Sequence, residues 1–193
     1  MLIIKLMLLL ATLLPQNNGW QRIQTKQHIS FLFPNKAQHI KNTTKGIPSD
    51  IYQTKDLACV FGVVCSDFSN QPVEMNQTNA VALYEQLRNG SVDMESAILK
   101  NEQTIPYENM LIKEIEYSII KDKYEMTYFK RFIFRDKMVY QITIGGKTRL
   151  LDILKKEREI FFNSISLKYS DIWLFIISDV KVSSALYQLL DLK

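Results

Sequence analysis

The residues best suited to phosphate chemistry are Gly145-Gly146-Lys147-Thr148, which lie between a predicted strand and a predicted helix. A phosphate-binding P-loop ends in the same residue types, and Phe175-Ile176-Ile177-Ser178-Asp179 is similar to the apolar strand that ends in a metal-binding aspartate. The full motif also needs a glycine five positions before Gly146, where this chain has Gln141 inside an alternating strand. Antiparallel hairpins precede the segment, whereas a P-loop needs parallel crossovers. The segment therefore predicts a glycine turn, a surface lysine and a threonine N-cap.

Nucleophilic hydrolysis needs a serine or cysteine, a base and an orienting group. The two histidines, His28 and His39, flank the first predicted strand, and neither is spaced from a cysteine or histidine as zinc ligands are. Glu114 and Glu116 share one face of a predicted strand, which we interpret as its outward, solvated face. We accordingly assign no catalytic residue, no metal ligand and no cofactor, and we expect the protein not to be an enzyme.

Both cysteines lie in one apolar run, Leu57–Cys65, whose β-branched residues are typical of a strand. At about 3.3 Å per residue the strand separates Cys59 from Cys65 by about 20 Å, whereas a disulfide needs a Cα separation of about 5.5 Å. The spacing predicts two free, buried, inert thiols.

Composition indicates one ordinary globular domain, with 47% hydrophobic and 23% charged residues. The formal net charge of +4 comes from 24 basic and 20 acidic residues whose signs are interleaved along the chain. Nucleic-acid binding favours a basic stripe of one sign, so we expect no nucleic-acid partner.

The first 14 residues are apolar apart from Lys5, and Leu6–Leu14 has the length of a signal-peptide core rather than of a bilayer span. Pro15 and a polar stretch follow. We interpret residues 1–19 as a signal peptide, so the mature chain is expected to be exported without a transmembrane span, to the periplasm or envelope of a bacterium. An uncleaved anchor or a buried first helix is the alternative.

Hydrophobic periodicity then predicts a single α+β domain over residues 20–168. Alternation over residues 111–144 predicts an antiparallel three-stranded meander with one buried face. Before the meander, strands are predicted over 28–34, from Ile51 and over 57–65, with a polar connection over 35–48. An amphipathic helix is predicted over 76–89, capped by Thr78 or Asn79 and stopped by Gly90, and a short second helix is predicted from Ser91. After the meander, a helix is predicted from Thr148 and a strand over 162–167.

Residues 169–193 extend beyond this domain. Trp173, Phe175 and Ile177 form one face of a predicted strand. Because such side chains gain about 1.5–3 kcal/mol each on burial, we expect this extension to pack on the domain or to serve as an interaction surface for a partner.

The order of these elements resembles the PsbP-like group of exported α/β proteins. The resemblance rests on Trp20 followed by a strand ending in Phe33-Pro34, on the helix and meander with Tyr140 near the start of its last strand, and on the ending Phe161-Phe162-Asn163-Ser164-Ile165. It implies a central antiparallel sheet flanked by helices in an α/β sandwich, and a non-catalytic role in docking or assembly.

We therefore expect an exported interaction or assembly domain of the bacterial envelope, whose partner is an envelope protein. A carrier that holds a small apolar ligand between sheet and helices is the alternative, and an unrecognised hydrolase is a third hypothesis. A large apolar cavity beneath the helix at 80–88 favours the carrier, whereas a packed interior with exposed aromatic residues favours a partner surface.

Overall fold

A computed structural model describes residues 19–72, 74–92, 97–107, 110–121 and 123–167. The strands are β1 (Gln21–Gln24), β2 (Ile29–Phe33), β3 (Gln38–Thr44), β4 (Ile47–Lys55), β5 (Cys59–Asp67), β6 (Ile98–Ile105), β7 (Leu111–Lys121), β8 (Tyr124–Arg135), β9 (Met138–Lys147) and β10 (Ser166–Leu167). The helices are α1 (Gln77–Val92) and α2 (Leu151–Asn163), and a 3₁₀ turn (Thr148–Leu150) precedes α2. The predicted α+β class is confirmed.

Seven strands form one antiparallel sheet in the order β3-β4-β5-β9-β8-β7-β6. A smaller sheet, in the order β1-β2-β10, packs with α2 on one face of it. Helix α1 packs on the other face, over the half formed by β7, β8 and β9. The central sheet is thus flanked by helices on both sides.

The meander is confirmed as β7, β8 and β9, but the prediction that it has one buried face is wrong. Ile115, Tyr117 and Phe132 point toward α1, whereas Tyr140 and Ile142 point toward α2 and β2. Both faces are apolar because both are covered, as in a sheet that lies between two layers.

Helix α1 differs from its prediction at both ends. The side-chain oxygen of Asn76 accepts a hydrogen bond from the backbone N–H of Asn79 at 2.9 Å, so Asn76 is the N-cap rather than Thr78 or Asn79. The helix continues through Gly90 to Val92. Ser91 lies inside α1 rather than at the start of a second short helix, and strand β6 starts at Ile98.

Helix α2 also begins differently from the prediction. The Thr148 hydroxyl makes no cap; it lies 2.9 Å from the hydroxyl of Thr127 in β8. The helix extends through Phe162 to Asn163, so the predicted strand over 162–167 shortens to Ser166–Leu167. Phe161 and Phe162 are buried in the core shared with β2 and β5.

Strand β3 replaces the predicted polar connection over 35–48. All seven of its residues are exposed, because it is an edge strand whose pairing is with β4 alone. An edge strand without a buried face carries no apolar alternation, which is why composition indicated a loop. Within the described residues, no helix is long and apolar enough to cross a membrane.

Candidate functional site: an open half of the central sheet

The most distinctive surface is the half of the central sheet that α1 leaves uncovered. The core beneath α1 contains residues of β7, β8 and β9 but none of β3, β4 or β5. On the same face, Ile40 and Val60 are 38% and 44% exposed, and Ile51 and Val64 are partly exposed. We call this surface, made by Ile40, Ile51, Val60, Val64 and their neighbours on the same side of β3, β4 and β5, the open face.

Strand register makes the apolar part of the open face continuous. Ile40 is paired with Ile51, and Ile51 with Val64, so the three side chains stand in one row across three strands. Gln38 and Gln53 form the next row, and their side chains share a hydrogen bond of 2.8 Å. Toward the β4–β5 turn the open face becomes concave, with a depression of about 720 Å³ beside Gln38, Gln53 and Val60.

The edge next to the open face has the geometry for pairing with another strand. All seven residues of β3 pair with β4 without a bulge, so its outer edge is regular. The opposite edge strand, β6, has an irregular register between Leu99 and Asn101. Bulges and charges protect sheet edges from pairing, so β3 is the more accessible of the two edges.

Around Tyr84, beneath the middle of α1, the interior is packed rather than hollow. Ala80 and Tyr84 are buried, and the Tyr84 ring meets the Phe132 ring edge-on with centroids 5.3 Å apart. The Tyr84 hydroxyl donates to Glu102 at 2.7 Å, and burial together with this bond raises the Tyr84 pKa. A cavity of about 470 Å³ does exist, but it lies at the N-terminal end of α1. Its lining includes Met75, Ala80, Ile105, Met110, Leu111 and Phe134.

Lys130 points under the other end of α1. Its ammonium donates to the Ser91 hydroxyl at 2.9 Å and lies 5.1 Å from the centre of the Phe132 ring. Ser91 in turn donates to the carbonyl of Leu87 in the last turn of α1. Burial lowers the Lys130 pKa to about 8, and this cation lies at the negative end of the helix dipole.

Glu114 contradicts our expectation that it and Glu116 are solvated. The Glu114 side chain is 5% exposed and is paired with both Arg131 and Arg158. Gln103 also donates to Glu114 at 2.9 Å, and Arg131 donates to the carbonyl of Phe162 at 3.1 Å. This cluster ties β6, β7, β8 and α2 together, which indicates a structural role.

His39 is half exposed and stacks on Tyr52 with ring centroids 4.4 Å apart. Its ring nitrogen contacts the Asp50 carboxylate, which also accepts a hydrogen bond from Gln27 at 2.5 Å. The nearby thiol of Cys65 is buried, and its pKa is raised to about 12, so it is a poor nucleophile. In the described ranges no three His, Cys, Asp or Glu residues are grouped as metal ligands.

The predicted glycine turn is wrong, because Gly145 and Gly146 lie within β9 and pair with Val60 and Cys59; the two glycines serve packing. A Cβ atom on Gly145 would lie 2.3 Å from the Tyr128 ring, and one on Gly146 would lie 2.8 Å from the carbonyl oxygen of Ala58. Lys147 lies 4.3 Å from the centre of the Tyr124 ring at the end of β9. The predicted interaction residues Trp173, Phe175 and Ile177, and the predicted signal peptide up to residue 18, lie outside the described residues.

Comparison with known proteins identifies the fold. No family model and no curated protein sequence matches the chain. The solution structure of cyanobacterial PsbP from Synechocystis superimposes with a TM-score of 0.53 at 15% identity, over 80% of this chain and 95% of that one. The fold is therefore PsbP-like, as the order of elements predicted.

Two further solved structures are similar at lower TM-scores. A Pseudomonas aeruginosa protein of unknown function gives 0.48 at 14% identity, over 78% of this chain and 99% of that one. LpqN of Mycobacterium tuberculosis, which is involved in cell envelope biogenesis, superimposes with a TM-score of 0.43 at 8% identity, over 80% of this chain and 82% of that one.

Proposed function

We propose that this chain is an exported, non-enzymatic interaction domain of a bacterial cell envelope, and that it binds a protein partner through the open face. The observation that carries the proposal is the row Ile40–Ile51–Val64, which remains accessible beside a regular edge strand. A partner strand that pairs with β3 satisfies the edge backbone groups and continues this row with its own side chains next to Ile40.

Export is supported by the sequence of residues 1–19, with its short apolar core and polar break. Binding rather than catalysis is supported by the chemistry of the described side chains. The buried thiols have raised pKa values, and the carboxylate of Glu114 is occupied by two arginines.

The test is site-specific photocrosslinking in the native envelope. A photoreactive amino acid replaces Gln53 on the open face, and a matched control replaces Lys156 on the exposed side of α2. We expect one discrete protein adduct from position 53, lost on Ile51→Lys, and none from position 156. Equal adducts from both positions, or an adduct that survives Ile51→Lys, would contradict the proposal. The mass of the same purified protein shows whether residues 1–19 have been removed.

A carrier function is the second candidate, because the cavity at the N-terminal end of α1 has the volume of a small-molecule site. Native mass spectrometry of the chain purified from its own envelope tests this. A bound apolar molecule that is lost on Met110→Trp but kept on Ile153→Trp, an exposed control, supports the carrier. A spectrum of the unliganded chain alone excludes it.

A further inference from the structure

The C-terminal end of the described chain lies near the strands that carry the open face. Leu167 in β10 is paired with Ile29 in β2, and the two strands are antiparallel, so the chain leaves the domain toward Gln27. The Gln27 side chain donates to Asp50 of β4 at 2.5 Å, and Asp50 is paired with Lys41 of β3. The edge strand β3 is therefore within reach of the residues that follow Leu167.

The chain that follows is long enough to place an apolar segment along β3. Residues 168–171 separate Leu167 from the apolar run Ile172–Ile177, which we call the tail strand. The five Cα–Cα steps from Leu167 to Ile172 span at most about 17 Å. Stacked layers lie about 10 Å apart and neighbouring strands about 4.8 Å apart. The connection therefore covers one layer and two to three strand positions, which brings the tail strand to the outer edge of β3.

The tail strand is apolar on both sides, and β3 offers apolar neighbours on both sides of the sheet. Extended backbone places Trp173, Phe175 and Ile177 on one side and the other three apolar residues of the run on the opposite side. A strand of this kind needs cover on both faces. Beside β3 it meets the row Ile40–Ile51–Val64 on the open face, and on the other face the His39 ring that stacks on Tyr52.

The charges that flank the two strands are complementary in position. Asp171 directly precedes the tail strand, and Asp179 follows two residues after it. Lys45 directly follows β3, and Lys36 lies two residues before it. Both lysines are exposed, and neither has an ion-pair partner in the part of the chain that the structure describes. An antiparallel pairing that starts at the β3–β4 turn places Asp171 near Lys45 and Asp179 near Lys36.

The other charges near β3 leave this match in place. Lys55 and Asp56 lie near the Lys36 end, and Lys26, Asp50 and Asp67 lie near the Lys45 end. All three of these acids are engaged: Asp50 contacts Gln27 and His39, and Asp56 and Asp67 accept hydrogen bonds from backbone N–H groups. In the tail, Lys168 and Lys181 lie outside the two aspartates. Because exposed ion pairs contribute little energy, the match selects strand direction rather than affinity.

We propose that the C-terminal extension, residues 169–193, pairs through its tail strand with the outer edge of β3 and covers the open face of its own domain. The pairing satisfies the outward backbone groups of β3. Beyond the tail strand, Leu186, Leu189 and Leu190 recur at helical spacing, so a helix there can lie over the open face as α1 lies over β7, β8 and β9.

The extension then regulates the surface to which the proposed function assigns a protein partner. In this respect the inference rests on the proposed function: a partner that binds the open face must first displace the extension from β3. The extension is thus an inhibitor of partner binding that is built into the chain.

The first test is photocrosslinking within the full chain, as purified from a host that exports it. A photoreactive amino acid replaces Asn42, which is exposed on the open-face side of β3, and a matched control replaces Lys156 on α2. We expect adducts between position 42 and residues 169–193, found by mass spectrometry after digestion. They should be lost in Phe175→Pro, kept in Asp191→Pro, and absent from position 156.

Three results of this test would overturn the proposal. One is that position 42 gives no adduct with the extension, or gives an adduct with residues 1–18 in its place. Another is an adduct that Phe175→Pro leaves unchanged. The third comes from a mixture of isotope-labelled and unlabelled chains, because adducts that join the two isotopes would make a second copy the occupant of β3.

Hydrogen exchange provides a second test that needs no crosslink. We expect the outward N–H groups of β3 to exchange about tenfold or more slowly in the parent than in Phe175→Pro, whereas Asp191→Pro should match the parent. The opposite edge strand, β6, is the internal control and should exchange equally in all three proteins. Equal exchange of β3 in the parent and in Phe175→Pro would refute the pairing.

Photocrosslinking from Gln53 in the native envelope separates this inference from the proposed function. Release of the extension in Phe175→Pro should raise the yield of the partner adduct severalfold, and a lower yield would overturn the inhibitory role. If no partner adduct forms in either protein while position 42 still crosslinks to the extension, the proposed function alone is contradicted. A partner adduct without the crosslink from position 42 overturns only the present inference.

Discussion

The carboxylate of Glu114 in β7 accepts a hydrogen bond from Arg158 in α2 at 2.8 Å, across the interface between the central sheet and the helix. Arg131 contacts the other oxygen of the same carboxylate. The Arg158 side chain also lies over the Phe129 ring, at 4.9 Å from its centre. One buried acid thus fixes the position of α2 on the sheet.

We expect Glu114→Gln to lower the free energy of unfolding by about 1–3 kcal/mol at pH 7, because two arginines lose a charged acceptor in a buried site. Burial alone would raise the Glu114 pKa, but Arg131, Gln103 and Arg158 outweigh it, and the folded pKa is lowered. The stabilisation is therefore present above the unfolded pKa of about 4.3 and is lost as pH falls through the folded value.

Urea denaturation at pH 7 and at about pH 3 measures this difference. The difference in unfolding free energy between the parent and Glu114→Gln should be smaller at the lower pH. Glu116→Gln is the control, because that strand neighbour is less buried. A difference in unfolding free energy that is the same at both pH values would show that side-chain shape rather than charge matters at position 114.

The sequence predicted the meander and the two helices because their periods are local properties of the chain. It did not predict the Glu114 cluster, whose partners Arg131 and Arg158 are 17 and 44 residues away. Strands β3 and β6 were missed because edge strands with mainly exposed side chains show no apolar alternation. The open face depends on register and strand order, which a single sequence does not specify.

Burial of the Lys130 charge should lower the stability of the folded protein, and replacing Lys130 tests this. Burial lowers its pKa to about 8, so at neutral pH the folded protein holds a charge that is better solvated in the unfolded chain. The stability penalty has its full size below about pH 8 and becomes smaller as pH rises toward the unfolded-state pKa of about 10.4. We expect Lys130→Met to raise the unfolding free energy by about 1 kcal/mol at pH 7, with a smaller gain near pH 10.

Denaturation at the two pH values, with Lys137→Met as the exposed control, measures the Lys130 effect. Tyrosine and cysteine ionisation affects all three proteins alike, so the difference between variants isolates Lys130. If Lys130→Met is less stable than the parent at pH 7, the hydrogen bond to Ser91 and the contact with the end of α1 contribute more stability than burial of the charge costs.

The thiols of Cys59 and Cys65 should be unreactive in the folded protein. Both are buried, and burial raises both pKa values to about 12. We expect iodoacetamide to leave the native chain unmodified, and to add two groups in denaturant without reductant. Mass spectrometry counts the added groups. A monomer that takes up none in denaturant would contradict the free-thiol state.

Two glycines offer a final comparison, because alanine should have opposite effects at them. At Gly146 a Cβ atom would lie 2.8 Å from the carbonyl oxygen of Ala58, so β9 or the β4–β5 turn must shift. Gly90 lies within α1 and has no atom within 4 Å of such a Cβ. We expect Gly146→Ala to lower the unfolding free energy by about 1–3 kcal/mol and Gly90→Ala to raise it by about 0.5–1 kcal/mol.

Thermal and urea denaturation of the two variants measure both signs. A stable Gly146→Ala would mean that the turn at 56–58 yields easily to the added methyl group. The close approach of β9 to Ala58 would then not be the reason for a glycine at this position.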